Sequence, residues 1–346
     1  MRGGVTLQSN PRSNLFNIIT YDSIISLENI LEAWPEFLQG KKNKKDVQEF
    51  GRDLMHNIIS LHNDLKSKTY KHSEYKSFKI TDPKPRDIHK SSVRDRLLHH
   101  AIYRILYPYF DKKFIYDSYS CRLGKGTYKA NERFKYFARK VSKNNTRTCW
   151  VLKCDIRKFF ANIDHEILMQ ILEKHITDSD VLWLLNQIII SFNTKGRVGV
   201  GLPLGNLTSQ LLVNIYMNEF DQFVKHKLKE KYYIRYADDF VFMSENKSHL
   251  EELVPKISKF LGEKLKLGLH PDKLFINTLS SGLDFLGWMH FPEHKVLRTA
   301  TKNRMFRNII KKAGKKETVA SYLEMLKHGN TKKIKQTIIN FQSIKS

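Results

Sequence analysis

Cysteine is scarce in this chain, with three in 346 residues, and Cys121, Cys149 and Cys154 show no CxxC spacing. An odd, unpaired set excludes a disulfide framework and a thiolate zinc site, and it fits a reducing, cytoplasmic setting. Long hydrophobic runs are missing too. The most apolar stretch, Val181–Phe192, is interrupted by Asn186 and Gln187 and is too short to span a bilayer. The first residues lack the apolar core of a secretory signal. Acidic side chains are in deficit, 35 against 60 Lys and Arg, which leaves a formal charge of +25. No repeat and no low-complexity segment is present.

What remains is a folding sequence. Hydrophobic residues make up 41%, with 21 Phe and 15 Tyr, enough for a real core spread over two or three subdomains. A globular chain this basic is suited to a polyanion, nucleic acid first. A membrane surface fits less well, because the charge runs through the whole chain and is not gathered on one amphipathic helix.

Residues 232–243, Tyr-Tyr-Ile-Arg-Tyr-Ala-Asp-Asp-Phe-Val-Phe-Met, place two β-forming runs around Asp238 and Asp239. The pattern predicts a tight hairpin with two carboxylates at its turn, either a solvated Asp pair or half of a cation site. A second stretch, Val151-Leu-Lys-Cys-Asp155, reads as a strand ending in a carboxylate, where Asp is disfavoured and needs a reason. Asp164 reads as the cap of the helix that follows. Between these stretches, Gly201, Pro203 and Gly205 predict an irregular entry, and the segment Gly201–Gln210 leads into a helix with Leu211, Leu212, Ile215 and Tyr216 inward. The loop Tyr119–Gly126 is glycine-rich and basic, and it precedes a helix beginning near Thr127.

Residues 1–75 read as a helical extension, with Val47–Leu65 as a continuous period. From Thr301 onward, twelve Lys and Arg face only Glu317 and Glu324 at helical spacing, which predicts a basic bundle suited to a phosphate backbone. His99 with His100, and His290 with His294, lack the companions of a metal site.

With these residues in hand, the sequence resembles the reverse transcriptases. Tyr236-Ala-Asp-Asp239 looks like their signature hairpin, Val151–Phe160 like their first catalytic motif, and Gly201–Asn214 like their template-positioning motif. His270–Lys273 and Phe285–Trp288 resemble the lysine and primer-grip motifs, and Lys84–Arg86 and Tyr119–Gly126 the fingers motifs. The resemblance implies an α+β right-hand polymerase fold: extension 1–75, fingers 76–150, palm 151–290 with an insertion at about 166–200, and a helical thumb 291–346.

The resemblance also implies roles. Asp155, Asp238 and Asp239, with the Ile156 carbonyl, would hold two Mg²⁺, with Mn²⁺ as a substitute. Lys84, Arg86, Phe160, Gln210 and Lys273 would meet the dNTP, Phe160 as a gate against a 2′-hydroxyl. Arg122, Gly124, Gly205, Asn206, Leu286, Gly287 and Trp288 would meet the RNA template and the RNA–DNA duplex. Within the group II intron-like branch, Gln210 stands where intron enzymes carry Pro, a variant similar to the enzymes of diversity-generating retroelements. That similarity implies adenine-directed errors and a small helical, oligomeric accessory variability protein. The chain also stops after the thumb-like segment, which is unlike a full intron protein with its further domains. Retron and antiviral-defence enzymes share the core, and a non-catalytic RNA-binding scaffold is the alternative outside enzymes.

Overall fold

The computed structural model describes residues 19–81, 85–312 and 314–343. Four helices come first: α1 (Tyr21–Ile25), α2 (Leu27–Leu38), α3 (Lys45–Arg52) and α4 (Leu54–Lys66). The expected continuous helix over 47–65 is broken at Asp53 (φ −120°, ψ 40°). Gly51 and Asp53, both poor helix formers, outweigh the apolar period there.

A two-stranded antiparallel ribbon, β1 (Lys76–Ile80) with β2 (Arg86–Lys90), leads into α5 (Val93–Asp111) and α6 (Thr127–Val141). Ser92 starts α5, its hydroxyl accepting from the Asp95 amide at 3.1 Å. Then come β3 (Trp150–Asp155), α7 (His165–Glu173), α8 (Ser179–Ile190), α9 (Leu207–Gln222), β4 (Tyr233–Tyr236), β5 (Asp239–Ser244) and α10 (Lys247–Leu265). Asp164 caps α7, as its sequence position predicts, accepting from the Ile167 amide at 3.0 Å.

The central sheet is antiparallel with order β4-β5-β3-β6, where β6 is Phe275–Thr278. Strand alternation divides its side chains between two cores. Leu152, Cys154, Phe240 and Phe242 join the large core that also takes residues of α5, α7, α8, α9 and α10. Val151, Val241 and Met243 turn the other way, onto Phe134, Phe137 and Ala138 of α6. A three-stranded sheet follows, β7 (Leu283–Phe285), β8 (Trp288–His290) and β9 (Lys295–Leu297). The chain continues through α11 (Thr299–Lys311), α12 (Lys316–Leu326) and α13 (Lys332–Ser343). Trp288 and Leu297 belong to the core of these last helices, with Met305, Ile309 and Leu326. Among the described residues, no helix is long and apolar enough to cross a membrane.

Candidate active site

The two ends of β3 and β5 bring the carboxylates together. Asp155, last in β3, lies in register opposite Asp239, first in β5. Asp238 occupies the turn between Tyr236 and Asp239, and its carbonyl accepts from the Ile156 amide at 3.1 Å. The Asp155 carbonyl accepts from the His270 amide at 2.8 Å, which seats the 270–273 turn beside the site.

Such crowding has an electrostatic cost. Burial, with the Asp155 charge next, raises the Asp238 carboxyl above its ordinary value, while Lys273 and Arg86 act in the opposite direction. Asp239 is pushed up to about 7, chiefly by burial, with Lys153 opposing and Asp155 and Asp238 adding their repulsion. Two lysines offset part of the charge. Lys273 Nζ donates to Asp155 Oδ1 at 2.7 Å, and Lys153 Nζ lies 3.3 Å from Asp239 Oδ2. Asp239 Oδ1 is buried without a hydrogen-bond partner.

Among the described residues, no three His, Cys, Asp or Glu side chains are already drawn into a ligand set. Even so, hard oxygen donors, mutual repulsion and an orphaned carboxylate oxygen fit a divalent cation such as Mg²⁺. Lys153 is absent from the expected site residues. Its signal was its place two residues before Asp155, on the same strand face.

The remaining expected residues fall into two groups. Arg86 heads β2, exposed, with its charge felt at Asp238. Half-buried Phe160 stands edge-on to Phe159 at 5.6 Å, and its carbonyl accepts from the Leu202 amide at 2.8 Å, which joins this segment to the 201–205 loop. Gln210 is half-buried in the first turns of α9. Gly205 is exposed at φ +110°, and a Cβ there would meet an Ile88 methyl at 3.1 Å. Gly124 is exposed at φ +69°, and Leu286 and Gly287 form the β7–β8 turn at φ +50° and +87°. Lys84 lies outside the described residues.

Three side chains are employed elsewhere, contrary to expectation. Arg122 spends its guanidinium on the Asp111 carboxylate (2.7 Å) and on the carbonyls of Ile115 (2.7 Å) and Ser118 (3.0 Å). It clasps its own loop and has little left for a phosphate. Asn206 is buried, its Oδ1 taking the Ser91 hydroxyl at 2.9 Å. Trp288 is buried in the core of the C-terminal helices, where its ring packs with Met305, Ile309 and Leu326.

One family and three known proteins are similar to this chain. Residues 76–290 match the family described as reverse transcriptase (RNA-dependent DNA polymerase). Protein YkfC of Escherichia coli K12 is 26% identical over 251 residues, covering 61% of this chain and 63% of that one. The group II intron-encoded protein LtrA of Lactococcus lactis subsp. cremoris is 25% identical over 249 residues, covering 51% and 39%. The chain thus spans less than two-thirds of either relative. Apo telomerase from Candida tropicalis superimposes with a TM-score of 0.49 at 14% identity, covering 70% of this chain and 60% of that one. With its carboxylate hairpin seated against the β3 aspartate, and a family match running from β1 through β8, this α+β chain belongs to the reverse transcriptases and has their right-hand polymerase fold.

Proposed function

We propose that the chain is an RNA-directed DNA polymerase extending a primer with dNTPs along an RNA template. The observation that carries this reading is Asp155 in register with Asp239, with Asp238 in the adjoining turn. Asp155, Asp238 and Asp239, with the Ile156 carbonyl, would hold Mg²⁺ or Mn²⁺, which when bound lowers the pKa of the primer 3′-hydroxyl and grips the triphosphate. The chain's own residues supply the rest. Arg86, and Lys84 before it, neutralise the triphosphate. The Phe160 ring leaves no room for a 2′-hydroxyl. Gln210 borders the nascent pair. Lys273 passes from Asp155 to a phosphate. The basic residues of α11–α13 follow the duplex backbone.

The finer assignment is a cytoplasmic, error-prone enzyme of a diversity-generating retroelement, assisted by a small oligomeric helical protein. Its support is the Gly205-Asn-Leu-Thr-Ser-Gln210 sequence.

Primer extension on an RNA template with dNTPs and Mg²⁺ tests both levels. The native chain should make templated DNA and the Asp238→Ala chain none. Equal extension by the two would overturn the polymerase reading. Errors concentrated opposite template adenine support the finer assignment, and accurate copies replace it with a retron-like or defence enzyme.

A further inference from the structure

A second basic and aromatic surface begins at the 119–126 loop, where Tyr119, Gly124 and Lys125 line it. It runs along α6 as two adjoining furrows of about 460 and 280 Å³ that share Arg133 and Tyr136. Tyr116 and Tyr136 are 67% and 48% exposed, unusual for large rings not engaged in a core. Cations accompany each ring. Lys125 Nζ lies 3.5 Å from the Tyr116 ring centre, and Arg133 sits 5.1 Å from Tyr116 and 5.2 Å from Tyr136. Farther along, Lys140 is 5.6 Å from Tyr136, and Lys231 is 5.6 Å from Tyr232. Asp117 fixes Arg133 through a 2.7 Å bond, so the guanidinium plane between the two tyrosines is held in place. The lining carboxylate Glu132 is taken up by Lys295 at 2.9 Å. Tyr232 precedes β4, so it stands about 13 Å at strand rise from Tyr236, where the turn carrying Asp238 begins.

Alternating rings and cations along a groove match a flexible polyanion whose unpaired bases can stack while its phosphates meet ammonium groups. We propose that the α6 furrow binds single-stranded RNA, separately from the primer–template duplex. The choice of RNA rests on the proposed polymerase reading, under which template RNA is the single strand at hand.

The test titrates a labelled, unstructured RNA of about 12 nucleotides into the full chain. The chain is first saturated with an unlabelled RNA-template–DNA-primer hairpin, and binding is read by fluorescence anisotropy. The wild type should bind the strand without losing the hairpin. Tyr116→Ala with Tyr136→Ala should weaken that binding at least about tenfold. Lys140→Gln with Lys231→Gln should flatten its salt dependence. Both double variants should extend a primer at the wild-type rate, which shows that they are folded. The proposal is overturned if the hairpin displaces the strand, if the tyrosine variant binds as the wild type does, or if DNA of the same sequence binds as tightly. Lack of extension by the wild type would count against the polymerase reading alone, because strand binding is read independently.

Discussion

Arg235 and Asp221 meet fully buried, with Nε 2.8 Å from Oδ1 and Nη2 2.6 Å from Oδ2. The same guanidinium donates to Ser118 Oγ at 3.1 Å and to the Ala237 carbonyl at 3.2 Å, and the Tyr233 hydroxyl donates to Asp221 at 2.8 Å. The pair therefore ties α9 and the 118 loop to the strand that delivers Asp238. Asp221→Asn would leave a guanidinium buried against a neutral amide. It should cost about 3–5 kcal/mol, because removing one partner of a buried pair strands the other. Urea unfolding reads this directly, and a midpoint equal to that of the wild type would contradict it. Arg235→Lys should not rescue, since an ammonium cannot reproduce the two-pronged contact.

Gly329 lies so close to Trp288 that an added Cβ would stand 2.1 Å from the indole ring. Gly329→Ala should therefore push the α12–α13 connection away from β8, at a cost of about 1–3 kcal/mol. A lowered Tm with a weaker grip on duplex is expected. An unchanged Tm would mean that the indole can move aside.

Acid should destabilise the fold through buried histidines. His99 is held down at about 3, mainly by burial and then by the His72 charge, and His290 at about 3, by burial and then by Lys295. Both folded values lie below the ordinary 6.5, so the unfolded chain takes up these protons first. The associated stability is present above about pH 6.5 and is lost as pH falls toward 3. Between pH 7.5 and 5.5 each histidine should cost about 1 kcal/mol. Urea midpoints at the two pH values check the sign, and His290→Gln should reduce the slope.

Lys153 offers a separate check on the carboxylate site. Lys153→Met leaves Asp239 buried beside two other carboxylates without its own ion-pair partner. The metal-free chain should lose about 1–3 kcal/mol. Mg²⁺ should raise the Tm of this variant more than that of the wild type, since the cation restores the missing charge. Equal Mg²⁺ shifts in the two chains would show that Asp239 takes no part in holding the ion.

The parts legible in sequence were those written in local pattern. Alternating β-formers flanking Asp238 and Asp239 gave the hairpin, and an aspartate ending a strand gave Asp155. Long-range pairing left no such mark. Nothing near Arg235 announces Asp221, because the two meet only when α9 packs on the sheet. The partners of Arg122 and Trp288 within the fold are hidden for a related reason. A motif gives a residue's position along the chain, whereas burial depends on what folds over it: Asp111 and two carbonyls for one, three helices for the other. The break at Asp53 is written locally, in the low helix preference of Gly51 and Asp53 against the apolar period.

One feature of the hairpin reaches beyond its chemistry. Ala237 turns the chain at φ +56°, a left-handed conformation in which its methyl crowds the neighbouring carbonyl, at a cost of about 1 kcal/mol. Glycine suits such two-residue loops better. The methyl also removes many of the other shapes a glycine would sample, so the tip that carries Asp238 has few places to wander. At this position the chain gives up ease in exchange for aim.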